Sequence, residues 1–227
     1  MKSGFLFLVL ATACSPLITS TPPLPPQPVQ VAYTTSLQPI RERLHDCALA
    51  QPQIALITDE TSLIALEDHT AEIILWPGEP LLETSRKAYA LGSDSIIMIS
   101  GVDVTVQDAS LEELSELFTD PQSPYQIWTY NQGNELRKIF DQAVLGGKVI
   151  SPYALQAPHP GAMIEAIQAN PLAVGYIPES WLLGNIQTIT IDRELQTELK
   201  YPILALTRGQ ASEHLAVFID CLQKPMR

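Results

Sequence analysis

The sequence predicts an α/β fold in which strands and helices alternate along the chain. Short apolar runs of strand length are separated by stretches with helical periodicity. The runs 53–58 and 71–76 are almost continuously apolar, as buried parallel strands are. Several runs end in a polar turn rich in hydroxyl groups, and a helix begins directly after each turn.

The first part of the chain repeats one unit, a strand followed by a polar turn and a helix. It contains the predicted strands 31–33, 53–58 and 71–76 and the predicted helices 37–49 and 63–67. Pro39 falls in the first turn of its helix, where proline is tolerated. The turns are Thr34–Ser36 and Asp59–Ser62. Three hydroxyl residues in a row at 34–36 exceed what one helix cap needs, so this turn is a candidate binding element.

The second part of the chain continues the alternation. It contains the predicted strands 88–91 with 94–100, 125–130, 148–153, 172–177, 186–191 and 202–206, and the predicted helices 110–118, 134–140, 161–169, 178–181 and 210–223. Ser110 and Glu113 form a capping-box pattern at the start of one helix. Gly175 inside its strand indicates a close backbone approach. We interpret 88–100 as a first crossing into a second lobe and 186–191 as the strand that crosses back.

The break at Asn131-Gln132-Gly133 separates a strand from a helix. A helix that starts after such a turn has backbone N–H groups without partners. These donors and the positive end of the helix dipole form a place for an anion or another polar group. The sequence therefore predicts a polar binding site at this turn, and an ordinary helix cap is the alternative.

The composition limits the classes of function that are open to the chain. Its 227 residues are 46% hydrophobic and 17% charged, as in a folded domain. The formal net charge of −12 argues against a nucleic-acid binder, because no basic field exists to displace counterions from phosphates. A site for an anion in this chain would have to work through local dipoles.

The N-terminus has the pattern of an export signal. A lysine precedes the apolar run 5–10, and small residues lead to Cys14, as in a bacterial lipobox. The run is shorter than the roughly 20 apolar residues that span a membrane. We predict a lipoprotein signal peptide at 1–14, with lipid on Cys14 that anchors the protein to the outer face of the bacterial cell membrane. An ordinary signal peptide with an incidental cysteine is the alternative.

Residues 15–30 are rich in proline and nearly uncharged, which predicts an extended linker without helices or strands. Two cysteines remain, Cys47 in the first predicted helix and Cys221 in the last. Export permits a disulfide between them, which would tie the chain ends together. Two buried thiols that do not meet are the other interpretation.

Three stretches carry a resemblance to a known family. They are 110–120, 162–178 and Tyr201–Leu204, of which 162–178, with Asn170-Pro171 and Gly175-Tyr176, is the most specific. Beyond the linker, over about residues 31–223, the chain resembles the phosphate-type substrate-binding proteins of bacterial ABC importers. The resemblance implies a two-lobed periplasmic-binding-protein-like fold (type 2), with lobes that two crossing strands join. The implied division is 31–91 with 187–227 for the first lobe and 92–186 for the second.

The resemblance also implies which residues bind the ligand. They are Thr34, Thr35, Ser36, Thr61, Ser62, Gln132, Gly133 and Asn134. The Ser-Gly-Thr triplet of phosphate binders corresponds to 132–134, where only the glycine matches. The arginine that precedes the triplet has no counterpart, and the family aspartate falls at Glu72 or is absent.

These observations lead to two functional hypotheses. The first is a monomeric, lipid-anchored solute-binding protein that captures a small polar solute, an oxyanion such as phosphate included, for the permease of an ABC importer. The second is a ligand-free domain of the same fold that acts as a surface interaction or sensory module. The four histidines lack metal-ligand spacing, and there is no nucleophile elbow. We expect no enzyme, catalytic residue, metal or cofactor.

Overall fold

The computed structural model describes residues 25–80, 86–182, 184 and 186–224. The predicted signal peptide, Cys14 and the first part of the predicted linker lie outside these residues. The strands are β1 (Gln27–Thr34), β2 (Ile54–Thr61), β3 (Ile73–Pro77), β4 (Arg86–Ser100), β5 (Asp108–Ala109), β6 (Gln126–Thr129), β7 (Leu155–Gln156), β8 (Ala173–Pro178), β9 (Gln187–Ile191) and β10 (Lys200–Arg208). The helices are α1 (Arg41–Leu49), α2 (Leu63–Glu67), α3 (Leu111–Thr119), α4 (Glu135–Phe140), α5 (Pro160–Ala169), α6 (Arg193–Glu198) and α7 (Glu213–Gln223).

Three irregular helical segments complete the described elements. Thr35–Ile40 and Glu179–Trp181 are 3-10 turns, and Asp141–Leu145 continues α4 as a π-helix. The predicted helix 37–49 is therefore α-helical only from Arg41. Pro39 lies in the 3-10 segment before it, where the missing N–H does not interrupt an α-helix.

One predicted boundary and one predicted strand were wrong. β1 starts at Gln27, so the end of the predicted linker is a strand. Pro28 is tolerated there because 27–30 pair only with β2, while the pairing with β3 involves Val31 and Ala32. The strand predicted at 148–153 is absent from the described residues, and the short β7 follows it. Sequence analysis also missed α6.

The strands form one mixed sheet in the order β2-β1-β3-β10-β4-β8-β6-β7, with β9 beside β4 and β5 beside β9. β1 pairs in parallel with β2 and β3, and β6 pairs in parallel with β8 and β7. β4 belongs to both halves of the sheet: its residues 86–95 pair with β10, and its residues 96–100 pair with β8. The predicted crossing at 88–100 is this strand, which continues through Gly92.

Two regions of core flank the long strands. In the first lobe, Tyr33, Leu44 and Phe218 pack on one face of the sheet, and a smaller cluster with Leu66 and Trp76 packs on the other. In the second lobe, the rings of Phe140 and Tyr176 stack with centroids 4.1 Å apart. Each lobe is therefore a sheet segment covered by its own helices.

The return to the first lobe is made by β10 and not by the predicted 186–191. β9 pairs with residues 98–100 of β4, and Ile189 and Ile191 belong to the second core. Leu195 of α6 packs there as well. The core thus places 187–199 with the second lobe, whereas the implied division placed them with the first. β4 and β10 are the two strands that connect the lobes.

Cys47 of α1 and Cys221 of α7 form a disulfide, with Cα atoms 5.8 Å apart and 174 residues between them in sequence. The other interpretation, two buried thiols that do not meet, is therefore wrong. Gly175 is closely packed, since an added Cβ would lie 2.5 Å from the sulfur of Met163 in α5. No helix in the described part of the chain has the length and apolar character to span a membrane.

Candidate functional site

The turns that end β1, β2 and β6 meet at one cavity of about 430 Å³ between the two lobes. Thr34 is the last residue of β1, and Thr61 is the last residue of β2. The turn after β6 reaches the cavity from the second lobe, and so does the start of α5 at His159. Parallel strands bring their carboxyl ends to one edge of a sheet, which is where ligands of open α/β sheets bind.

Most of the ligand-binding residues that the resemblance implies line this cavity. They are Thr34, Thr35, Ser36, Thr61, Ser62, Gly133 and Asn134. Gln132 is exposed and is not among the lining residues. Glu72, the candidate for the family aspartate, accepts a hydrogen bond from the backbone N–H of Gln30 at 3.0 Å and does not line the cavity.

Several backbone donors at the turn of the second lobe are occupied by the turn itself. The N–H of Gly133 donates to Oδ1 of Asn131 at 3.0 Å. Oδ1 of Asn134 accepts from the N–H groups of Leu136 and Arg137 at 2.8 and 3.3 Å and caps α4. The amides of Gly133, Leu136 and Arg137 are therefore engaged within the turn, and ligand binding at 132–134 stays a prediction.

Glu135 links the two lobes across the cavity. Its side chain is only 5% exposed, although it lines the cavity. Thr34 Oγ1 donates to Glu135 Oε1 at 2.6 Å, and Ser36 Oγ donates to the same oxygen. A buried carboxylate needs such donors, because burial without a partner costs several kcal/mol.

Trp181 adds a second contact to the same turn. Its indole N–H donates to the backbone carbonyl of Ser36 at 2.7 Å. Ser36 thus receives one hydrogen bond from the second lobe and donates another to it. The turn at 34–36 is fixed from both its side chains and its backbone.

The remaining hydroxyls of the first lobe have different partners. Thr35 Oγ1 donates to Glu60 Oε1 at 2.8 Å. Ser62 Oγ accepts from the N–H of Ala65 at 3.3 Å as the cap of α2, so its own proton is still available. Thr61 Oγ1 has no hydrogen bond to any residue that the structure describes.

The charges at the cavity are mainly negative. Glu60, Glu135 and His159 line it, and none of the lining residues that the structure describes is a lysine or arginine. The buried Arg137 is engaged elsewhere: its guanidinium donates to Asp141 at 2.6 Å, to Thr129 at 3.2 Å and to the carbonyl of Tyr130 at 3.1 Å.

Two tyrosines near this region are held neutral by their surroundings. Burial raises the pKa of Tyr130 and of Tyr201 well above the usual value. Nearby negative charge adds to the effect, from Asp94 and Glu135 at Tyr201 and from Glu135 at Tyr130. Their hydroxyls therefore remain protonated in the range where proteins are normally studied.

Sequence analysis missed Glu135, Glu60 and His159 as cavity residues. Glu135 directly follows the predicted turn, but an acidic residue in the first turn of a helix is common because it favours the helix dipole. His159 Nδ1 accepts from the N–H of Ala162 at 3.1 Å, so it is the cap of α5. Within the described residues, no group of three or more histidine, cysteine, aspartate or glutamate side chains could hold a metal ion.

Comparison with known proteins identifies similar folds. No family model and no curated protein matches the chain. A solved structure from Clostridium perfringens, assigned as a phosphate ABC transporter substrate-binding protein with bound phosphate, is 17% identical with a TM-score of 0.75, over 86% of this chain and 93% of the other. An ABC-type phosphate transport receptor from Vibrio cholerae is 16% identical with a TM-score of 0.63, over 87% and 94%.

A regulatory protein has a similar fold as well. The CcmR regulatory domain of Synechocystis in complex with 2-PG is 15% identical with a TM-score of 0.69, over 86% of this chain and 95% of the other. The likenesses confirm the predicted fold class, a two-lobed α/β fold of the periplasmic-binding-protein type. At such low identity they show the fold and not the function.

Proposed function

We propose that the chain is an extracytoplasmic solute-binding protein, anchored by lipid on Cys14, that delivers a small polar solute to the permease of an ABC importer. One observation carries the proposal: polar turns from distant parts of the chain converge on a single cavity between two lobes. The likeness to the phosphate receptors supports the same function. The proposal requires binding and no catalytic step.

The position of the cavity explains how binding would be sensed. A solute there would contact the turns of β1 and β2 in the first lobe and the starts of α4 and α5 in the second. Such a solute favours the closed arrangement of the lobes, because only that arrangement offers all contacts at once. A permease that recognises the closed form would then receive loaded protein.

A thermal-shift screen of the purified full chain tests the proposal. The panel contains phosphate, sulfate, molybdate, amino acids, small amines and sugars. At 100 times its Kd a ligand adds about 2.7 kcal/mol of stability, which for a chain of this size raises the Tm by roughly 5–10 °C. If no member of the panel raises the Tm, the proposal is wrong.

Two variants make the screen specific to the cavity. Thr61→Val removes a lining hydroxyl that has no partner within the described part of the chain, so we expect the ligand-induced shift to fall. Gln132→Ala changes a neighbouring polar residue outside the lining, so the shift should stay the same. Equal effects of both variants would place the ligand elsewhere.

The contact of Glu135 with Thr34 and Ser36 favours a second candidate, the ligand-free interaction or sensory module. A carboxylate of the chain itself satisfies hydroxyls that a ligand would otherwise use. The likeness to a regulatory domain is consistent with this function. Capture of a protein partner, together with no thermal shift by any solute, would favour it over transport.

A further inference from the structure

The hydroxyls of Thr34 and Ser36 form a pair of donors that could bind an oxyanion, here called the oxyanion seat. The side chain of Glu135 already occupies it. Both donate to one oxygen, Glu135 Oε1, and lie 2.8 Å from each other. Hydroxyls that converge on one oxygen are the arrangement that a bound oxyanion would use. A carboxylate has the same charge and acceptor chemistry, so the side chain of Glu135 takes the place of such a ligand.

The side-chain oxygens of the second-lobe turn are also engaged. Asn131 accepts from the N–H of Gly133, and Asn134 accepts from two amides of α4. Among residues 25–80, 86–182, 184 and 186–224, no lysine or arginine lines the cavity to balance a second negative charge. An incoming oxyanion would meet the carboxylates of Glu60 and Glu135, and the neutral hydroxyls of Thr61 and Ser62 do not offset that negative charge.

The groups of the described residues that remain free in the cavity include the neutral hydroxyls of Thr61 and Ser62 and two carboxylate oxygens. The Oε2 atoms of Glu60 and Glu135 have no hydrogen bond to any residue within the described part of the chain. A carboxylate with one oxygen in a hydrogen bond and the other oxygen free favours a partner that donates hydrogen bonds and carries positive charge. The net charge of −12 attracts cationic solutes and repels anionic ones at long range.

We infer that Glu135 determines the charge class of the solute: it occupies the oxyanion seat, excludes oxyanions, and selects small solutes that carry an ammonium or guanidinium group. The inference rests on the proposed solute-binding function. It differs from the oxyanion that the family resemblance implies. The reason is a single side chain, in contact with Thr34 and Ser36 from the opposite lobe.

Three variants of the full chain test the inference by calorimetric titration. Glu135→Gln retains an acceptor oxygen for both hydroxyls and removes the charge. Glu135→Ala empties the seat. Glu60→Gln is the matched control, because it removes the other lining carboxylate and leaves the seat filled. The probes are inorganic phosphate and sulfate, and the amines ethanolamine, putrescine and arginine.

We expect the tightest ligand of the unaltered chain to be an amine, with no binding of phosphate or sulfate. Glu135→Gln should weaken amine binding at least tenfold without a large change of Tm. Glu135→Ala should bind phosphate at least tenfold more tightly than the unaltered chain, whereas Glu60→Gln should not. Should Glu135→Ala not fold, the loss of amine binding in Glu135→Gln carries the test.

Several results would overturn the inference. They are tight binding of phosphate to the unaltered chain, a folded Glu135→Ala protein that binds no phosphate, and equal amine affinity in Glu135→Gln and the unaltered chain. Failure of the proposed function has a different signature. If no solute binds the unaltered chain but Glu135→Ala binds phosphate, Glu135 fills the seat and the solute-binding function is wrong.

Discussion

The turns at 34–36 and 131–135 lie on opposite sides of the cavity and have the same sequence pattern, a strand followed by polar residues and a helix. Their chemistry in the structure is opposite. The turn at 34–36 directs two hydroxyl donors across the cavity. The turn at 131–135 caps its own amides with Asn131 and Asn134 and presents a carboxylate. A turn between a strand and a helix can therefore present donors or acceptors, depending on which side chains it carries.

The largest effect is expected from the disulfide, which braces only the lobe that carries the turn at 34–36. The double change Cys47→Ser and Cys221→Ser should lower the free energy of unfolding by about 2–5 kcal/mol, because the bridge closes a long loop. Urea denaturation measures the change. The unaltered chain under reducing conditions is the control and should match the double variant. Equal stability with and without reductant would show that the bridge does not brace the lobe.

Loss of the carboxylate should be next in size. Glu135→Ala leaves the hydroxyls of Thr34 and Ser36 without their acceptor, so we expect a destabilisation of about 1–3 kcal/mol. Glu112→Ala, an exposed acidic residue in the first turn of α3, is the matched control and should change stability little. A double-mutant cycle with Thr34→Val should give a coupling energy of at least about 0.5 kcal/mol. Additive effects would show that the contact contributes nothing.

In the second lobe, the cap of α4 should contribute less to stability than the contact of Glu135. Asn134→Ala removes the acceptor of two amides and should cost about 1 kcal/mol in urea denaturation. Amide hydrogen exchange at Leu136 should become faster. Ser62→Ala removes the corresponding cap of α2 and should affect Ala65 instead. Unchanged exchange at Leu136 in Asn134→Ala would mean that the amide has another partner.

The smallest effect is expected at Trp181. Trp181→Phe keeps an aromatic ring and loses the hydrogen bond to the carbonyl of Ser36, at a cost of about 0.5–1.5 kcal/mol. Trp128→Phe is a control, because its indole N–H donates to Gln126 within the same lobe. The fluorescence of the unaltered Trp181 should also change if a solute alters the separation of the lobes. A stability loss that is equal in both variants would argue against a role at the interface.

The first-lobe turn was predictable because its signal is local. Thr34, Thr35 and Ser36 are adjacent hydroxyl residues directly after an apolar strand, and this pattern is visible in a short window of sequence. The same holds for the capping box of Ser110 and Glu113, in which both predicted hydrogen bonds are present. Capping and periodicity involve residues a few positions apart, so sequence is sufficient to find them.

The role of the second-lobe turn was not predictable in the same way. Gly133 and Asn134 line the cavity, but their N–H groups donate to the side chain and to the backbone carbonyl of Asn131. Glu135 is separated from Thr34 and Ser36 by 101 and 99 residues, so no local pattern connects them. The assignment of 187–199 to the first lobe failed for a related reason, since strand pairing across the sheet decides it.

The alternation of strands and helices, the hydroxyl-rich turns and the caps could be predicted from the chain alone, because they depend on neighbouring residues. The path of β10 back to the first lobe, the pairing of Cys47 with Cys221 and the carboxylate in the oxyanion seat became visible only in three dimensions. Such pairings join residues far apart in the chain. They follow from how the lobes pack against each other, which local propensities do not specify.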